Sequence, residues 1–215
     1  AGSQTEGRGR LGRSFYSPSD SGVYLSLLLR PECGAEEATN LTACAAVAVA
    51  EAIEELSGLQ TGIKWVNDVF VGGKKVSGIL TEASVDCESG LMNYAVVGIG
   101  INTLKPGDGF PAELKNIAGS AFSNTETVSS LRCRLAASVL DRLMEYYRDP
   151  ESDSCYTEYR KRSFLLGKDI NILRHDQEPV PATAIDIDRD YSLIVRLREG
   201  STAKIQSGEV SVRQA

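Results

Sequence analysis

A chain of 215 residues with 42% apolar and 24% charged side chains has room for one large domain or a large and a small one, and lies far from disordered compositions. Its formal charge of −6 argues against wholesale binding to a phosphate backbone, and no apolar run approaches the ~20 residues of a membrane-spanning helix. The five cysteines are scattered without a CxxC pair and the one histidine, His175, cannot complete a usual zinc site, so free thiols in a reducing cytosol are expected.

The first distinctive stretch is GRGRLGR, residues 7–13. Its glycines let backbone approach a ligand closely, and its arginines are planar forks suited to carboxylate or phosphate. A solvated linker, a grip on nucleic acid, or a loop over a small anion all suit this composition. The string GRGRLG also matches a GxGxxG dinucleotide fingerprint, which requires a helix at its end. The next residues, SFYSPSDSG, are rich in turn formers, so that fingerprint is rejected.

GVYLSLLLR, residues 22–30, reads as a buried strand ended by Pro31. Residues 40–57 read as a helix, with Leu41, Ala45, Ala48, Ala52, Ile53 and Leu56 at three- and four-residue steps, Thr39 or Asn40 as cap and Gly58 as stop. Residues 62–71 and 74–83 read as two strands turning at Gly72-Gly73, where a tight hairpin needs positive φ. With a two-residue loop, position 70 faces 75 and 68 faces 77. Asp68 and Lys75 then share one face as diagonal neighbours about 7–8 Å apart. An acid and a fixed cation side by side suit magnesium-assisted chemistry at a phosphate, although an exposed ion pair of little energetic weight gives the same pattern. Lys74 points the other way, and Trp65 reads as core.

Residues 93–102, NYAVVGIGIN, form another buried strand. Glycine weakens a strand by about 0.5–1 kcal/mol relative to alanine, so Gly98 and Gly100 imply something flat against the backbone, either a ligand or a closely packed neighbour. Asn102 ends the strand, where it can bond a ligand or cap a turn. A Gly/Pro-rich loop covers 103–112, a second long helix 129–148 and a short one 152–162. From Lys168 onward, short alternating runs indicate a small all-β domain of about fifty residues.

Taken together, QTEGRGRLGR at 4–13, KWVNDVFVGGKKVSGIL at 64–80, GIGIN at 98–102 and SGEVSVR at 207–213 resemble a biotin–protein ligase over essentially the whole chain. The resemblance implies an α/β (α+β) fold: a mixed central sheet with packed helices, residues 1–162 forming a biotin- and ATP-binding catalytic domain, and residues 163–215 forming an SH3-like β domain. It implies a cytoplasmic, ATP- and Mg2+-dependent enzyme that makes biotinoyl-5'-AMP and transfers biotin to a lysine of the biotin carboxyl carrier domain of acetyl-CoA carboxylase. Lys75, Arg10 and Asp68 would be catalytic, with Asp68 also at the metal. Gln4, Gly7, Arg8, Lys75, Gly78, Leu80, Gly98, Gly100 and Ile101 would hold biotin. Arg10, Arg13, Phe15, Asn67, Asn102 and Arg213 would face the nucleotide, with Phe15 at a position where tryptophan is common. Lys64 would only support its strand. Val66 stands where proline is usual, which is expected to loosen that turn.

The family has a further N-terminal strand and helix and a Ser/Thr-rich segment against biotin's ureido ring, so the N-terminal part of the domain is expected to be missing here. DNA binding would require an additional helix-turn-helix. Many relatives dimerise through the sheet edge, and residues 94–102 with the loop 103–112 are the expected contacts. A lipoate–protein ligase or the ligand-sensing part of a biotin-responsive repressor are the alternatives, and a nucleic-acid module using the arginine loop would show a steep salt dependence.

Overall fold

The computed structural model describes residues 1–123, 128–173, 177–206 and 209–212. Five strands form the first sheet: β1 (Gly22–Leu29), β2 (Thr61–Lys64), β3 (Asp68–Val71), β4 (Lys74–Val85) and β5 (Met92–Asn102), in the order β1-β5-β4-β3-β2. All the strand pairs are antiparallel. The parallel component expected of a mixed sheet reduces to two isolated bridges, Ile63–Ser163 and Lys75–Ala118. The chain dictates this, because β2 to β5 succeed one another through short connections and only a long crossover can return a strand in parallel.

The crossover that is present, helix α1 (Ala38–Ser57), carries the chain from one sheet edge to the other. Its alanine-rich face is fully buried against β2, β3, β4 and β5, and Gly58 ends it with φ of 70°. The expected side-chain cap is absent: the N-cap residue is Glu37, and the Asn40 amide donates to its carboxylate. Helix α2 (Val128–Arg148) packs Leu131, Leu135, Val139 and Leu143 inward against α1 and β1, and α3 (Ser154–Arg162) packs on α1. Core residues alternate along β5, with Ala95, Val97, Ile99 and Ile101 facing the helices, so the opposite face carries Tyr94, Val96, Gly98 and Gly100.

Two details differ from the sequence reading. The expected strand 62–71 is two strands with a turn at residues 65–67. In addition, β5 is paired on both sides, so 94–102 presents no free edge for a second copy; the edges of this sheet are β1 and β2.

The second sheet contains β6 (Asp169–Leu173), β7 (Val180–Ile187), β8 (Leu193–Leu197), β9 (Thr202–Ile205) and β10 (Glu209–Val212), in the order β10-β6-β7-β8-β9. Its β7–β8 turn is tied to the first sheet and to α3. The Trp65 indole donates to the Tyr191 carbonyl at 2.8 Å, the Tyr156 hydroxyl donates to the Ile187 carbonyl at 2.8 Å, and Arg160 pairs with Asp186 at 2.7 Å. No described helix is long and apolar enough to cross a membrane.

Candidate functional site

GRGRLGR is a hairpin, not a dangling linker. The Gln4 amide donates to the Ser17 carbonyl at 3.1 Å, the Phe15 amide to Gly7 at 2.8 Å and the Gly9 amide to Arg13 at 2.7 Å. The turn closes at Leu11 and Gly12, whose φ of 56° and 72° match the mirror-image turn that fits twisted strands. Leu11 sits at its exposed tip. A side chain at buried Gly7 would meet the Ser17 hydroxyl at 2.7 Å, which explains a glycine there.

This hairpin lies over the non-helical face of the first sheet and encloses a cavity of about 230 Å³. The cavity is lined by residues from the hairpin, β1, the 64–68 turn, β4 and β5. Five cations (Arg8, Arg10, Arg13, Lys64, Lys75) and three carboxylates (Glu6, Asp68, Glu82) line it, so a positive cleft forms in an acidic chain. Such a cleft concentrates anions.

The centre of the site is Lys75. Its ammonium lies 2.5 Å from Asp68 Oδ1, and both side chains are partly covered. That oxygen is buried and, among the described residues, has no other partner of hydrogen-bond geometry. The turn at Gly72-Gly73, with φ of 55° and 77°, sets Phe70 opposite Lys75 as expected. Val76 then bulges, so Asp68 pairs with Gly78, not with Ser77. The bulge changes the register yet leaves acid and amine in contact. The backbone of Lys75 is held from its other side: its N–H donates to Ile117 at 2.8 Å and its carbonyl accepts from Gly119 at 2.9 Å. Lys74 turns away and donates to the Asn116 carbonyl at 2.6 Å.

Asn67 links the hairpin to the sheet. Its carbonyl oxygen accepts from Arg10 at 3.3 Å, while its amide donates to the Ile79 carbonyl at 2.8 Å. Arg8 pairs with Glu82 at 2.9 Å near the cavity mouth, and Gln4 donates to the Ser17 hydroxyl at 3.0 Å. Gly78 and Gly100 face each other across β4 and β5, with Gly98 opposite Leu80. The flat object on the first pair is the Phe15 ring. Behind it, the buried Tyr24 phenol is pushed above its ordinary value by burial and donates, as a neutral group, to the Pro18 carbonyl at 3.2 Å.

Thus Gln4, Arg8, Arg10, Arg13, Phe15, Asn67, Asp68, Lys75, Gly78, Leu80, Gly98 and Gly100 converge on one cavity. Ile101 does not: its side chain is fully buried on the helical face, because alternation along β5 turns it away. Gly7 closes the hairpin without lining the cavity, and Asn102 is buried just beyond it, its carbonyl accepting from Ala121 at 2.9 Å. Arg213 lies outside the described residues. Lys64, expected only to support its strand, also lines the cavity, as does Trp65. Ser26, Glu82 and Val96 line it too, and sequence reading missed them; period-two alternation from Gly98 and Leu80 places them on the same face. Among the described residues no cluster of three His, Cys, Asp or Glu gathers as a metal site.

Residues 1–102 match the Biotin/lipoate A/B protein ligase family, and residues 165–213 match the Biotin protein ligase C terminal domain. The bifunctional ligase/repressor BirA of Bacillus subtilis is 47% identical over 215 residues, covering 99% of this chain and 65% of that protein. The biotin--[acetyl-CoA-carboxylase] ligase of Mycobacterium tuberculosis is 26% identical over 96% of this chain and 75% of its own length. The biotin protein ligase of Aquifex aeolicus, solved in complex with biotin and ATP, superposes with a TM-score of 0.78 at 28% identity, covering 100% of this chain and 87% of that one. This chain therefore spans less than two thirds of the BirA relative, 65% of its length, and with both matched regions it belongs to the biotin protein ligase family.

Proposed function

We propose that this chain carries the catalytic part of an ATP-dependent biotin–protein ligase. The observation that carries the reading is the convergence of Lys75, Asp68 and Arg10, from three separate segments, on one cation-rich cavity. The reaction joins two anions. A carboxylate oxygen of biotin attacks the α-phosphorus of ATP, the bond to the bridging oxygen breaks, and pyrophosphate leaves. A carrier lysine amine then attacks the acyl carbon, loses its proton, and releases AMP. Repulsion between carboxylate and phosphate opposes the first step, and fixed cations relieve it most where charge develops.

In this reading Lys75 neutralises both anions, with Arg10, bonded to Asn67, and Arg13 on the nucleotide side. Arg8 and Gln4 bracket the other end, where Gly98, Leu80 and Val96 offer a flat apolar surface to a fused ring. Asp68 would hold Mg2+ through its other carboxylate oxygen, Oδ1 being taken by the Lys75 ammonium at 2.5 Å; one carboxylate suffices when nucleotide phosphates complete the shell. The ion would shield the phosphate charge. The hairpin excludes water from the mixed anhydride. We place the boundary between the catalytic domain and the C-terminal β domain after α3, at residues 162–163. We assign the carrier domain of acetyl-CoA carboxylase as acceptor, in keeping with the names of relatives such as the M. tuberculosis enzyme.

Isothermal calorimetry with biotin and with lipoate, each with a non-hydrolysable ATP analogue, tests the assignment. Heat with biotin alone supports it. A response to lipoate and silence with biotin overturn it.

A further inference from the structure

We propose that Phe15 is a positioning residue, whose ring, seated on the Gly78–Gly100 step of the sheet, anchors the base of the arginine hairpin and sets where Arg8 and Arg10 stand. A Cβ added at Gly100 would lie 2.5, 2.8 and 2.9 Å from three atoms of the Phe15 ring, and one at Gly78 would lie 3.3 Å from a fourth. Real side-chain carbons do not approach so closely, so the paired glycines are the seat that this ring requires. By contrast, a Cβ at Gly98 would meet only the Leu80 carbonyl, at 3.4 Å, which leaves that part of the floor free for a ligand.

The seat also explains the strand chemistry. Two glycines at one cross-strand position weaken the sheet, and the lost side-chain packing is replaced by the ring. The Phe15 ring meets Tyr24 edge-to-face, with centroids 6.4 Å apart at 74°. The backbone of Phe15 closes the hairpin at Gly7, and its carbonyl accepts from the Ser17 hydroxyl at 2.9 Å. One residue therefore both closes the hairpin and docks it. The Arg8–Glu82 pair is exposed, and the bond from Arg10 to Asn67 is long at 3.3 Å. Phe15 therefore works with its sheet-facing side, beside the nucleotide-facing role that the resemblance implies for a residue lining this cavity.

The consequence for substrate rests on the ligase reading, while the anchoring does not, and the experiment separates them. Trypsin cleavage after Arg10 and Arg13 is monitored in the full chain without substrate, for wild type, Phe15→Leu, Phe15→Tyr, Gly100→Ala and the Phe15→Leu/Gly100→Ala double variant. Phe15→Leu and Gly100→Ala should each be cut about tenfold faster, because nicking tracks the open population. Phe15→Tyr, which keeps the flat ring, should match wild type. The double variant should be cut no faster than either single one. The biotin KM should rise in Phe15→Leu with kcat changed much less. Wild-type cleavage of Phe15→Leu or Gly100→Ala, additive effects in the double variant, or tighter biotin binding by Phe15→Leu would each overturn the proposal. Should Gly100→Ala not fold, the leucine and tyrosine variants alone decide it. Failure of wild type to respond to biotin would count against the ligase reading and leave the cleavage comparison to judge Phe15.

Discussion

Lys75 and Asp68 meet at 2.5 Å although a bulge at Val76 separates their strand positions from simple cross-strand register. The contact joins the β3–β4 hairpin into one unit whose ammonium faces the cavity and whose carboxylate supports it. A pair with this coverage is not a surface ornament, since each group would otherwise be left partly desolvated.

Asp68→Asn keeps the shape of that unit and removes its negative charge. We expect the Mg2+ concentration for half-maximal pyrophosphate release to rise by about tenfold or more. A magnesium titration of the variant checks this, and an unchanged midpoint would place the metal elsewhere.

Arg8 separates stability from binding. Its pair with Glu82 is 72% and 46% exposed, so Arg8→Ala should cost less than about 1 kcal/mol of stability. Biotin affinity should nevertheless drop, because the guanidinium borders the cavity. Thermal melting and calorimetry on the same sample read the two effects.

Trp65 joins the cavity wall to the β7–β8 turn through its bond to Tyr191. Trp65→Phe keeps an aromatic ring and strands a buried carbonyl, at a cost of about 1–3 kcal/mol. Denaturant unfolding measures this directly.

Arg162, only 10% exposed, gathers Glu54, Glu158 and Glu51 where α1 and α3 meet. Burial would raise the Glu54 carboxyl, but the bonds from Arg162 and Thr61 outweigh it and hold it below the usual 4.5. Arg162 likewise lowers Glu158. Both folded values lie below the unfolded ones, so their stabilisation is complete above about pH 5 and is lost as pH falls through the lowered values. Melting temperature should decline over that acidic window in wild type. In Arg162→Met the decline should be shallower from a lower starting point.

The local rules were legible in the sequence where backbone demands are severe. Gly72-Gly73 gave away its turn, and the spacing of Gly98 and Gly100 gave away a flat contact. That spacing could not say whether the flat partner was a ligand or the chain's own Phe15. The hydrophobic pattern did not show the break at residues 65–67, because Trp65 and Val66 are buried as core residues would be in a strand; only the proline usual at position 66 pointed to a turn. The hold of Ile117 and Gly119 on Lys75, and of Tyr191 on Trp65, depends on contacts distant in sequence. Ile101 was drawn into the site by its motif neighbours, whereas alternation alone assigns it to the core.

The most direct measurement is biotin-dependent exchange of labelled pyrophosphate into ATP, compared between the wild-type chain and Lys75→Ala with melting curves for both. Exchange is expected in wild type, with a loss of about 10²–10³-fold in a folded Lys75→Ala. Equal exchange rates in the two proteins would contradict this expectation.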